Sequence, residues 1–208
     1  MIKALLLVFD PLRTWDGIAR SRRNLGFVLA LYLLPLLVLV AVAEGYGLAR
    51  WGKWQSEVGY IKRFPPREAV VVVTGQLLLS LCVVFVGANM LKSLGGTFHG
   101  RHSYGQAFTT VAYGLSPLFV LRLLDAFSGV SPWLSWSIGI VLSVGVLYYG
   151  VPRMMQPDPS HAFGLFFMSA LLLALVSGLA RLVSAAYLAG KFPKLQDVIS
   201  QIAARLPF

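Results

Sequence analysis

Five stretches of this chain stay apolar long enough to cross a bilayer, and that removes most architectures from consideration. A helix needs about 20 residues to cover about 30 Å of hydrocarbon. The runs at 25–43, 69–91, 107–127, 133–151 and 162–190 all meet that length. In lipid every backbone N–H and C=O must be satisfied within the protein, so the expected fold class is all-α: a polytopic membrane protein, a five-transmembrane-helix bundle. With 57% of its 208 residues hydrophobic and 12% charged, the chain is too apolar for a water-soluble domain. Its formal charge of +10 sits on lysines and arginines that flank the apolar runs. There the natural partner is anionic lipid headgroups, not nucleic acid.

The third stretch, VAYGLSPLFVLRLLDAF at 111–127, is the one the others have to bury. Pro117 has no N–H and its ring collides with the carbonyl four residues back, so the carbonyl of Tyr113 loses its helical donor. At membrane depth such a group is tolerated only where neighbouring helices, hydroxyls or water satisfy it, which places this span inside the bundle. Gly114, lacking a side chain, is expected to leave room for a donor to reach that carbonyl. Tyr113, Gly114 and Pro117 are therefore candidate binding residues at a helix break.

The same stretch carries Arg122 and Asp125, three apart and able to pair. Ionisable groups inside a span are functional candidates by default; a snorkelling arginine near the interface is the plainer alternative. Arg181, inside the fifth run, completes a candidate intramembrane charge cluster. At about 1.5 Å of rise per residue, Arg122 and Arg181 differ in depth by about 6 Å, with Asp125 nearly level with Arg181. A bridge from Arg181 to Asp125 is expected, with Glu44 and Glu68 as reserve partners at the same face.

The whole of 1–208 is expected to form one integral-membrane unit with short interfacial amphipathic helices at both ends. Over 10–21, Asp10 caps a helix with Pro11 at its first position, and Leu12, Trp15, Ile18 and Ala19 share a face ahead of Arg20, Arg22 and Arg23. Over 194–206, Leu195, Val198, Ile199, Ile202 and Leu206 form the stripe. The opening MIKALLLVFDPLRTW has no small-residue cleavage site and is not expected to be a signal peptide.

Between spans one and two, Tyr46, Trp51, Trp54, Tyr60 and Phe64 alternate with basic residues as an aromatic interface belt. In span two, Thr74, Gln76, Ser80 and Asn89 are expected to face other helices. Small residues recur every four positions at Ser135, Gly139 and Ser143, and at Ala170, Ala174 and Gly178, letting helices approach closely. A tight turn at 128–132 makes spans three and four a hairpin. Basic residues outside the spans divide equally between the two sides. Orientation therefore rests on Arg20, Arg22 and Arg23 just before span one, which favour a cytoplasmic amino terminus.

Chemistry-bearing motifs are scarce. His99, His102 and His161 lie in loops on one side, so a three-histidine metal site is geometrically conceivable. The H-x2-H spacing is common by chance and only Asp158 offers an acidic second shell, leaving these three as weak candidates and no metal as the expectation. Gly95 and Gly96 lack the G-K-[ST] ending of a phosphate loop, and flexibility is their expected role. Cys82, the one cysteine, is expected to be buried as a small hydrophobe. No nucleophile elbow, H-E-x-x-H helix or paired intramembrane acids occur. Neither an enzyme nor a cofactor is expected.

The segment GGTFHGRHSYGQAFTTVAYGLSP resembles the Yip (Ypt-interacting protein) family of five-span membrane proteins, in its short bacterial-type members. The resemblance covers nearly the whole chain. It rests on P-x3-W at Pro11 and Trp15, the double glycine Gly95 and Gly96, Y-G-x2-P at Tyr113, Gly114 and Pro117, and LYYGVP at 147–152. It implies five transmembrane helices, a cytoplasmic amino terminus and non-enzymatic work in membrane organisation or protein interaction; eukaryotic relatives act with small GTPases in vesicle traffic. Their long cytosolic amino-terminal region and D-L-Y-G-P signature are not seen here, so GTPase partnering is not carried over.

The functional expectation is a multi-pass protein, in the bacterial inner membrane, that binds a protein partner or lipids in a membrane-organising or trafficking-like role. Anionic headgroups are its expected contacts, with a protein partner or homo-oligomer as further candidates. The alternative is a small-solute or ion transporter or channel using the broken third helix.

Overall fold

The computed structural model describes residues 2–21, 23–55, 59–98 and 102–204. Among these residues five helices are long and apolar enough to cross a membrane: Leu25–Arg50, Pro66–Thr97, Tyr104–Ala126, Pro132–Met155 and Ala162–Leu188, here spans one to five. Span three is the axis of the bundle. Of its most apolar window 72% is buried inside the protein, against 33–44% for the other four. Span two packs on spans one, three and five, and span four on spans three and five.

Local chemistry sets the ends of these rods. Span one comprises α3 (Leu25–Val28), a π turn (Leu29–Leu33) and α4 (Leu34–Arg50). Asn24 caps it by accepting from the Phe27 amide at 2.8 Å. The wider π turn lies just before Pro35, where the missing N–H and the ring leave no room for a regular α ladder. Span two is α5 (Pro66–Thr97), longer at both ends than its apolar run: Pro66 sits at its first turn, and Gly95 and Gly96 stay helical at its last. A side chain at Gly95 would collide with the His102 ring, which lies against the helix with Nε2 3.1 Å from the Lys92 carbonyl. The double glycine therefore ends a rod instead of opening a flexible loop.

Span three starts with a capping box: the Ser103 hydroxyl accepts from the Gln106 amide at 3.3 Å and the Gln106 side chain accepts from the Ser103 amide at 2.7 Å. It is broken at Leu115 into α6 (Tyr104–Gly114) and α7 (Ser116–Leu121), and tightens into a 3-10 segment, Arg122–Ala126. Span four is α8 (Pro132–Met155) and span five α9 (Ala162–Leu188). The small residues of span four face span three: Ser135 and Ser143 are fully buried, and a Cβ on Gly139 would press on the Leu118 backbone. Gly178 of span five lies against the Trp136 ring. In span two, Gln76 and Ser80 turn inward, whereas Thr74 and Asn89 are exposed. The Thr74 hydroxyl is satisfied by its own helix, at the Val70 carbonyl, 2.7 Å away. Cys82, expected inside, is exposed, because burial follows the face of the helix and not the apolarity of the run.

Both ends carry helices. The amino-terminal segment holds α1 (Ile2–Phe9), a helix beyond the expected one, and α2 (Pro11–Ser21). Ala4 and Leu7 of α1 and Trp15 and Ile18 of α2 join the main apolar core, packed on α7 and α8, while Leu12 turns outward. The amphipathic face thus packs largely on protein. At the other end α10 (Pro193–Ala204) buries Ala203 and seats Ile199 on the residues that begin span two. It leaves Leu195, Val198 and Ile202 exposed as an apolar stripe. Leu206 lies outside the described residues.

The belt between spans one and two contains a small antiparallel hairpin not anticipated from the pattern: β1 (Lys53–Gln55) pairs with β2 (Tyr60–Lys62), Trp54 opposite Ile61. Trp51 stacks on Phe127 with ring centroids 5.6 Å apart, and Lys53 donates to the carbonyls of Phe127 at 2.8 Å and Val130 at 3.2 Å. The hairpin is thereby fastened to the turn that follows span three.

Candidate binding site on the broken third span

The break divides span three into two polar ends separated by an apolar middle. At the amino-terminal end a vestibule of about 690 Å³ opens between α2, the start of span one, α6 and the end of α8. Arg23, Asn24, Ser103, Gln106, Arg153 and Gln156 line it, with Val28, Thr109, Met154 and Tyr113 among its other walls. Tyr113 lies seven residues beyond Gln106, about 10 Å deeper along the helix. Among the described residues no carboxylate lines this space.

Aromatic packing closes the floor. The Tyr113 ring stacks on Tyr32, centroids 4.0 Å apart, and meets the Trp15 ring edge-on at 6.3 Å. The Trp15 indole donates to the Val146 carbonyl at 2.9 Å. The Tyr32 hydroxyl is bonded to that of Ser116, which itself donates to the Ala112 carbonyl at 3.1 Å. Gly114 does not hold open a path to the Tyr113 carbonyl: the Leu147 side chain of span four occupies the place a Cβ would take. Its lack of a side chain serves helix packing.

The far end of span three is ionic. Arg122 grips Glu44 of span one with two bonds, Nε–Oε1 3.0 Å and Nη2–Oε2 2.9 Å. It also donates to the Ser80 hydroxyl at 2.5 Å and to Gln76 Oε1 at 2.9 Å. Arg181 of span five pairs with Asp125 and donates to the Pro132 carbonyl through Nε at 3.0 Å and Nη2 at 2.8 Å. Arg122 and Asp125 thus take different partners instead of each other. Lys53 is the fifth charge, and burial beside the hairpin lowers its pKa from the ordinary lysine value, opposed by the charge of Asp125. Lys53, Arg122 and Arg181 outnumber Glu44 and Asp125 by one, yet Asp125 Oδ1 is buried with no hydrogen-bond partner among the described residues.

His102 rests on span two, as above, and His161 lies by Phe98 with ring centroids 6.2 Å apart. His99 lies outside the described residues. Among those described, no three His, Cys, Asp or Glu residues lie close enough to hold a metal.

Sequence reasoning reached Arg122, Asp125, Arg181, Tyr113 and Pro117, and named Glu44 only as a reserve. It turned Gln76 and Ser80 toward other helices without joining them to Arg122, and it assigned neither Lys53 nor the rim of the vestibule to a site. For Gln76 and Ser80 the usable signal was their i, i+4 spacing on one face of span two, level with Arg122.

The model of the Yip1 domain matches residues 5–199, from α1 well into α10. The chain belongs to the Yip1 domain family. Comparison with curated proteins found no match, and neither did comparison with solved structures. Membership and the five apolar helices together make this an integral membrane protein. In this Yip1 domain, three motifs that are far apart in sequence meet at the floor of the vestibule. Trp15 of P-x3-W touches Tyr113 of Y-G-x2-P; Gly114 receives Leu147, the first residue of LYYGVP; and Gly150, in that same motif, lies against the Trp15 ring, where a Cβ would collide.

Proposed function

We propose that this Yip1 domain is a non-enzymatic binding protein of the bacterial inner membrane, with its amino terminus in the cytoplasm, that recognises a lipid or protein partner through the vestibule on its broken third span. The observation that carries the reading is the convergence of Trp15, Tyr113, Gly114, Leu147 and Gly150 beneath a basic, carboxylate-free opening. A membrane-organising role fits this site, because its rim offers amide and guanidinium donors suited to holding a polar headgroup or a peptide. The cluster Arg20, Arg22 and Arg23 beside span one supports the orientation.

A photoreactive residue at Thr109, inside the vestibule, tests this in native membranes. A discrete lipid or protein adduct is expected from Thr109 and not from the exposed Leu175. Equal, unselective labelling from both positions contradicts the proposal.

One observation favours a second reading, a small-solute or ion transporter: polar groups lie on both sides of an apolar plug containing Leu118 and Phe119, as in a gated path. Flux of small ions or solutes through liposomes carrying the pure protein, absent from empty ones, supports that reading over the first.

A further inference from the structure

Resting on the vestibule as the binding site, we infer that its occupant is the phosphate headgroup of an anionic phospholipid from the leaflet on the amino-terminal side. The rim is a set of donors. The Asn24 side-chain oxygen is committed to the Phe27 amide and the Gln106 side-chain oxygen to the Ser103 amide, so each presents its NH2 group to a ligand. Arg153 commits Nε to Asp16 at 2.9 Å and Nη1 to the Tyr149 carbonyl at 3.1 Å, which leaves Nη2 to donate. Arg23 packs over the Phe27 ring at 4.2 Å and has no carboxylate partner among the described residues. The uncompensated guanidinium of Arg23, the remaining Nη2 donor of the Asp16-paired Arg153 and two oriented amides match a phosphate diester.

Depth selects a lipid over a free anion. Below the rim the walls turn apolar at Ile18, Val28 and Met154 and end on Tyr113. The headgroup layer is about 5–8 Å thick on each face, so a pocket about 10 Å deep continues into hydrocarbon. A phosphate above an apolar body is the profile of a phospholipid, and about 690 Å³ is in the size range of small-molecule sites. Basic pockets between spans at a membrane face are a general mode of headgroup capture.

Gln106→Glu is the discriminating variant. A glutamate preserves the capping box while replacing the amide donor with a negative charge. The full-length protein is placed in nanodiscs of phosphatidylcholine with or without phosphatidylglycerol, and retained lipids are counted by native mass spectrometry. Selective retention of phosphatidylglycerol by the unaltered protein is expected, reduced about tenfold by Gln106→Glu and by Arg23→Gln, since a charge-assisted hydrogen bond is worth about that factor. Unchanged retention in both variants, with each still folded by circular dichroism, overturns the inference. Displacement of phosphatidylglycerol by millimolar inorganic phosphate overturns the lipid source. A protein adduct from Thr109 without lipid retention overturns it too, while leaving the vestibule a binding site; unselective labelling from Thr109 and Leu175 instead removes the binding reading itself.

Discussion

Asp125 shows how much one carboxylate holds in a dry setting. It is 7% exposed, faces Arg181, itself 7% exposed, and lies beside Lys53. Removing it leaves cationic charge uncompensated, so Asp125→Ala is expected to destabilise the solubilised protein by about 3–5 kcal/mol. Replacing both members, Asp125→Leu with Arg181→Met, removes the charge as well as its partner and is expected to recover most of that loss. Thermal unfolding of the three proteins in one detergent checks this; a double variant no better than Asp125→Ala refutes it. Depth along the rods was enough to bring Arg181 to Asp125, because rise per residue is fixed. It was not enough to send Arg122 to Glu44, since hydropathy gives the depth of a side chain but not its direction around the axis. Lys53 was illegible for another reason: its partners are backbone carbonyls of Phe127 and Val130, more than 70 residues away.

Among elements, the spans were legible because bilayer thickness sets their length, and the break in span three because Pro117 lacks an N–H and its ring displaces the carbonyl four residues back. The small ridge of span four was legible too, since four-residue spacing keeps Ser135, Gly139 and Ser143 on one face. The β1–β2 hairpin was not, as its aromatic and basic alternation is also that of an interface belt. α2 was expected from its cap and stripe, but its docking was hidden: Trp15 is large enough to fill a groove that only the folded Gly150 surface creates. Gly150→Val is therefore expected to push Trp15 out and loosen α2. A red shift of tryptophan emission and faster hydrogen exchange across 11–21, with span four unchanged, is the expected record; unaltered exchange there would show that the contact is incidental. Pro117→Ala restores a backbone donor for Tyr113, so it is expected to keep membrane insertion and the family fold while lowering the Thr109 adduct. An undiminished adduct would reduce the proline to a packing detail.

For the molecule as a whole, an odd number of spans is expected to set α2 and α10 on opposite faces, and the vestibule is lined by α2, the start of span one, α6 and the end of α8. The vestibule is expected to admit water and ligand along span three from the amino-terminal side. Cysteine accessibility tests it most directly. With Cys82 replaced by serine, single cysteines at Arg13, Thr109 and Lys194 are treated with a membrane-impermeant thiol reagent from each face in turn. Arg13→Cys and Thr109→Cys are predicted to react from the same face and Lys194→Cys from the other, with Thr109→Cys slowed by phosphatidylglycerol. Failure of Thr109→Cys to react from either face, or its reaction from the face of Lys194, would contradict the account.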